Sequence, residues 1–300
     1  MRGKVADFLL SFCITVCGMS LLLLYSSDPL TIIISSAVGL FAVFILRKIN
    51  YVRSGLLFIT SACAIVSASV SMFTSLSLVC NFSLNSSFVP ICTFLAAVVI
   101  LCILYSSNRA IKSVVCVASA LCGFLLLLML FLCFFESDKS FFALPNINPY
   151  IIFPLISFAL FDNLFFIPEI KKSDKKPYYL GILAAVLYFV FSSVLSLSVL
   201  STNIYSATPS PVIRLWSTCF VVSFVDRFET VVVCVLFTLC VLKCGLLLKT
   251  VKSFHPILRV FLAMVLMILL FFYPLLIIFY SIIVIIGLIV YVIIKKYVDL

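Results

Sequence analysis

The sequence predicts an all-α integral membrane protein of ten transmembrane helices, arranged as two five-helix halves of inverted topology. Three observations carry this expectation. Hydrophobic residues make up 65% of the chain and charged residues only 10%, with a mean hydropathy of +1.39, a balance that no water-facing fold sustains. Basic residues gather in short segments between apolar runs, and alternate segments carry few of them. A helix-disturbing feature also recurs in the first helix of each half.

At about 20 residues per span plus short loops, 300 residues leave room for roughly ten helices in a single membrane domain, 1–300. The first half, 1–136, opens with Arg2 and Lys4 ahead of an apolar run from Asp7 to Tyr25. That opening mimics a signal peptide, but with no convincing small-residue cleavage site it reads as an uncleaved first helix. The second span, Thr31 to Leu46, ends on Arg47, Lys48 and Arg53. The third, Gly55 to Cys80, is rich in Ser and Ala (Ser61, Ala62, Ala64, Ser67, Ala68, Ser69, Ser71). Small residues let backbones approach closely, so this helix is expected to pack on others or to line a cavity. Asn81-Phe-Ser83 and Asn85-Ser-Ser87 after it match the glycosylation pattern, which matters only in a eukaryotic secretory pathway. Phe88 to Ser106 and Val114 to Phe135 complete the half.

The second half, 149–296, begins with Tyr150 to Pro168, interrupted by Pro154 and by Asp162-Asn163. The most basic loop follows, Lys171 to Lys176, and then Tyr178 to Leu200. Phe228 to Leu248 is the eighth span, in which Lys243 is late enough to snorkel toward headgroups. Ile257 to Tyr273 and Leu275 to Ile294 share a minimal turn at Pro274. Sixteen of the 20 Lys and Arg fall at the two ends, in alternate loops or, for Arg259, at the start of the span that follows one, while Lys139, Arg214 and Arg227 lie in the opposite segments and Lys243 late in a span. Both termini are therefore expected in the cytoplasm.

Composition also excludes function classes. The net charge of +10 is orientation information spread over loops rather than a basic domain, so nucleic acid is not an expected partner. Most of the 13 cysteines lie inside apolar runs, where Cys is a small packing residue. Only Cys80 and Cys92 flank one loop in a way that suits a disulfide. Cys13/Cys17 and Cys240/Cys244 have helical spacing without accompanying His or acid, so no metal is expected. His255 precedes Pro256 in a loop and reads as solvated. No Ser-His-Asp set, phosphate-binding loop or paired glycosidase acids is present, so neither an enzyme nor a cofactor is expected.

Two stretches carry the candidate chemistry. The first is Asp226-Arg227-Phe-Glu229, set inside apolar sequence running from Val212 to Leu248. A helix of that length would measure roughly 55 Å, against about 30 Å of hydrocarbon. Val212 to Val225 therefore reads as a half-length piece dipping in from outside, sheltered by protein or a water-filled cavity. On a helix Asp226 and Glu229 share a face and Arg227 points away. These charges either fix helix depth at the interface or form a gate or lock beneath an outer vestibule.

The second stretch is Asp162-Asn163, paired with Gly18 in the first span. Interrupted helices at corresponding places in two inverted halves point to a midplane substrate site. Half-helix N-termini there favour a carboxylate, and freed carbonyls or an acid favour an ammonium or a cation. Asp162 is the one carboxylate clearly at membrane depth. It must be protonated or paired, and either binds and couples or positions a helix end.

At Phe224-Val-Asp-Arg-Phe-Glu229, preceded by Pro211 and Arg214, the chain resembles the spore germination permease family, the B subunit of nutrient germinant receptors. Leu104-Tyr-Ser-Ser-Asn-Arg-Ala-Ile111 is a second likeness. The resemblance implies an amino-acid permease-like protein of the leucine-transporter fold, with a re-entrant segment between spans 7 and 8. It further implies a multi-pass subunit of the spore inner membrane that senses a small nutrient, typically an amino acid, and signals to partner A and C subunits. A proton- or cation-coupled amino-acid transporter is the alternative, and a membrane scaffold that binds only protein partners is a third class.

Overall fold

The computed structural model describes residues 2–24, 29–46, 57–82, 89–135, 149–166, 175–200, 212, 215–216, 228–251 and 253–298. Among these residues the chain is helical, with no strand. α1 (Arg2–Met19) tightens into a 3-10 turn at Ser20–Leu23, and α2 (Pro29–Leu46), α3 (Leu57–Phe82), α4 (Val89–Tyr105) and α5 (Asn108–Phe135) follow. α6 is composite: an α-helical turn at Pro149–Pro154, a π-helix at Leu155–Leu160 and a 3-10 helix at Phe161–Phe165. α7 (Lys175–Val199), α8 (Phe228–Thr250), α9 (Pro256–Phe272) and α10 (Leu276–Val298) complete the order.

Five of these helices, α1, α3, α5, α7 and α8, contain runs long and apolar enough to cross a membrane, and the remaining apolar helices are shorter. The exposed residues agree with a hydrocarbon surround. Phe94, Val117, Phe124, Leu127, Phe261 and Phe279 all point outward. In water such a belt would be an aggregation surface; against lipid tails it costs nothing.

α3 and α8 make the largest helix–helix contact and form the centre, with α4, α9 and α10 laid against α3 or both. The small residues of α3 explain its place: 89% of its spanning window is buried, against 28% for the Leu- and Phe-rich α5. The many small side chains of α3 present little apolar area to lipid and let neighbouring backbones come close. Several of its hydroxyls are satisfied by the helix itself, Ser71 donating to Ser67 O, Thr74 to Val70 O and Ser75 to Met72 O. α1 packs on α7, where the main chain at Phe8 leaves no room for a side chain at Gly181. Cys80 and Cys92 are both free thiols.

Of the stretch from Val212 to Val225, only Val212, Leu215 and Trp216 are described, and all three are buried. Asp226 and Arg227 lie outside the described residues. Glu229 falls in the first turn of α8, which begins at Phe228 as the apolar run requires.

Candidate functional site

The break in α6 follows from its sequence. Pro154 contributes no N–H and crowds the preceding turn, and the backbone beyond it widens into the π-helix Leu155–Leu160. A π turn shifts the hydrogen-bond register by one residue, and at its end the Phe161 N–H is shared between the Ile156 and Ser157 carbonyls. The 3-10 helix that follows tightens the register again and carries Asp162 in its first turn and Asn163 beside it.

Carbonyls of the π segment also accept from side chains. Lys243 of α8 donates from Nζ to the Phe158 carbonyl at 2.5 Å. Asn163 Nδ2 donates to the Ala159 carbonyl at 2.9 Å and to Thr15 Oγ1 of α1 at 3.1 Å. Tyr178 of α7 donates to the Asn163 side-chain oxygen at 3.0 Å and lies 3.2 Å from its backbone carbonyl. Asn163 thus ties α1, α6 and α7 together at the break. Each bond is buried, and losing one partner of such a group costs about 1–3 kcal/mol.

Asp162 and Lys243 form an ion pair, Nζ to Oδ2 2.7 Å, with both side chains fully enclosed. The contact is close but not aligned as a hydrogen bond, and neither carboxylate oxygen has a hydrogen-bond partner among the described residues. Ser67 of α3 approaches the same carboxyl, and its buried hydroxyl likewise closes no hydrogen bond. Either ion left alone at this depth would cost several kcal/mol, which is why the two occur together.

Gly18 lies against this break. A Cβ there would run into the Phe158 carbonyl and the Ala159 backbone. Its backbone stays in regular helix within α1, so the glycine acts by permitting close approach rather than by breaking its helix. The 3-10 turn begins two residues later, and there Ser20 Oγ and Cys240 Sγ lie 3.5 Å apart. Cys240 and Lys243 are three apart on α8, and so share a face. That face meets the tightened end of α1 at one residue and the π segment of α6 at the other.

Gly18 thus lies against the π segment that leads into Asp162 and Asn163, although it does not interrupt its own helix. Asp226, Arg227 and Glu229 are not placed beside them, since the first two lie outside the described residues and the side chain of the third is not described. Lys243 corrects the sequence reading. It does not reach toward headgroups but is enclosed by α6 and α8. A buried lysine finds more energy in a carboxylate and a free carbonyl than a long detour to the interface would return. Thr15, Tyr178, Ser67 and the Phe158 carbonyl were also missed. Lys243 had a signal, as a basic residue late in an apolar run, and Ser67 stood among the small residues of the third span.

Among the described residues no three His, Cys, Asp or Glu side chains converge as metal ligands. No family model matches the chain, and no curated protein matches it.

Proposed function

We propose that this chain is the membrane subunit of a spore nutrient germinant receptor, sensing a small nutrient such as an amino acid and passing the signal to A and C subunits. The observation that carries the reading is the convergence of Gly18, Asp162 and Asn163 at a discontinuous helix enclosed by the bundle. Discontinuous helices at this depth supply carbonyls and a carboxylate to an ammonium group. The likeness at Phe224 to Glu229 selects germination among the permease-like functions. The accompanying architecture is ten spans in a leucine-transporter-like 5+5 inverted repeat, with both termini cytoplasmic in the spore inner membrane. Asp226, Arg227 and Glu229 hold the outer vestibule in shape.

The Lys243–Asp162 pair favours a second reading, a proton- or cation-coupled amino-acid transporter, because enclosed ionisable pairs mark coupling sites in transporters. One variant tests both. Asp162→Asn combined with Lys243→Met removes the site without leaving a lone charge. It is expected to accumulate in spores and to lose nutrient-triggered germination; a normal dose–response at normal abundance refutes the sensing site. In proteoliposomes of the unaltered chain, saturable amino-acid binding without accumulation supports a sensor, and gradient-driven accumulation supports transport.

A further inference from the structure

The acceptors around Lys243 Nζ are those a primary ammonium asks for. An ammonium has three N–H donors and no acceptor. Here it meets the Phe158 carbonyl at 2.5 Å and Asp162 Oδ2 at 2.7 Å, with Ser67 beside the carboxyl. The Phe158 carbonyl lies in the π segment of α6, where the hydrogen-bond register is shifted, and Lys243 reaches it from another helix. Lys243 enters on a flexible stem from α8.

The pair is also incompletely satisfied. A permanent buried lock recovers its desolvation only when geometry is good and the remaining lone pairs are hydrogen-bonded. Asp162 instead has no hydrogen-bond partner for either oxygen among the described residues, and the fully buried Ser67 hydroxyl has none. A small ammonium free to orient its protons can align on these acceptors better than one tethered from α8.

We infer that the Phe158 carbonyl, the Asp162 carboxylate and Ser67 form a binding site for small primary amines, which Lys243 fills as a resident competitor. A free ammonium entering the site displaces the lysine Nζ, and the lysine returns when it leaves. Ligand arrival is thereby converted into release of α6 from α8. This deepens the proposed sensing of an amino compound and rests on that reading of the site.

The test uses the full chain in lipid nanodiscs, with n-butylammonium as the probe because it matches the lysine stem and head. Lys243→Ala is expected to gain saturable thermal stabilisation by n-butylammonium and none by n-butanol or tetramethylammonium, which lack the N–H donors of an ammonium. If Lys243 holds the site nine-tenths of the time or more, the probe binds about tenfold or more tightly to Lys243→Ala than to the unaltered chain. Lys243→Ala combined with Asp162→Asn is expected to show no effect. Should Lys243→Ala fail to accumulate, n-butylammonium in the growth medium is expected to restore it. Absence of any amine effect on Lys243→Ala overturns the inference, in melting if it accumulates or in abundance if it does not. So does an equal effect in the double variant. These readouts involve neither germination nor uptake. A chain that passes here but triggers no germination retains the amine site and loses the receptor reading.

Discussion

Two cations of α8 lie six residues apart, about 9 Å along the axis, and are used in different ways. Lys243 is fully enclosed, facing a carboxylate and a single carbonyl at the break in α6. Lys249, half-buried in the last turn, donates to the Ser106 carbonyl and, at 3.3 Å, to the Ile103 carbonyl, where α4 ends. Arg259 of α9 does the same for α8, donating to Leu248 O at 3.1 Å and to Phe254 O at 2.6 Å. The second arrangement is capping: a cation on the orphan carbonyls of a helix C-terminus, where the helix dipole adds to the attraction. Its partners carry only partial charges, so losing the cation leaves no full charge stranded. At the break each partner carries a full charge, and neither can be removed alone.

The contrast sets the expected order of effects. Lys243→Met and Asp162→Asn, taken singly, are each expected to cost about 3–5 kcal/mol, because the surviving charge is enclosed and unpaired. The two combined are expected to recover most of that loss. Thermal unfolding of the purified chain in detergent measures it, and strict additivity of the two single effects would show that the charges do not depend on one another.

Next in size is Gly18→Ala. It leaves the charges intact but forces the Phe158–Ala159 backbone away from α1. Overpacking of this kind costs about 1–3 kcal/mol. The displaced carbonyl should also weaken its bond to Lys243, so Gly18→Ala is expected to couple with Lys243→Met in a double-mutant cycle and not with Lys249→Met. Independence from both would leave Gly18 a packing residue only.

The smallest effect belongs to the capping region. Lys249→Met is expected to cost about 0.3–1 kcal/mol, and less at high salt. A loss as large as that for Lys243 would mean that Lys249 too faces an enclosed charge, and would erase the distinction between the two regions.

Composition and period determined a good deal about this protein. Apolar runs separated by basic loops dictate helices in lipid, because a backbone in hydrocarbon must satisfy its own hydrogen bonds. Pro154 and the polar Asp162-Asn163 told where α6 could not stay regular, and the small residues of α3 pointed to a helix packed against others. Gly18 lies against that break by permitting close contact, whereas the expectation rested on glycine as an interruption. The partners were not legible. Lys243 stands 81 residues from Asp162 and Thr15 stands 148 from Asn163, with nothing in local spacing to connect them. A charge in an apolar run has several physically acceptable fates: to snorkel, to neutralise or to pair. The choice depends on whether another helix brings an opposite charge within about 3 Å. Only the tertiary arrangement that lets Lys243 of α8 reach α6 decided that, because the energy of a buried charge is a property of everything around it and not of the segment that carries it.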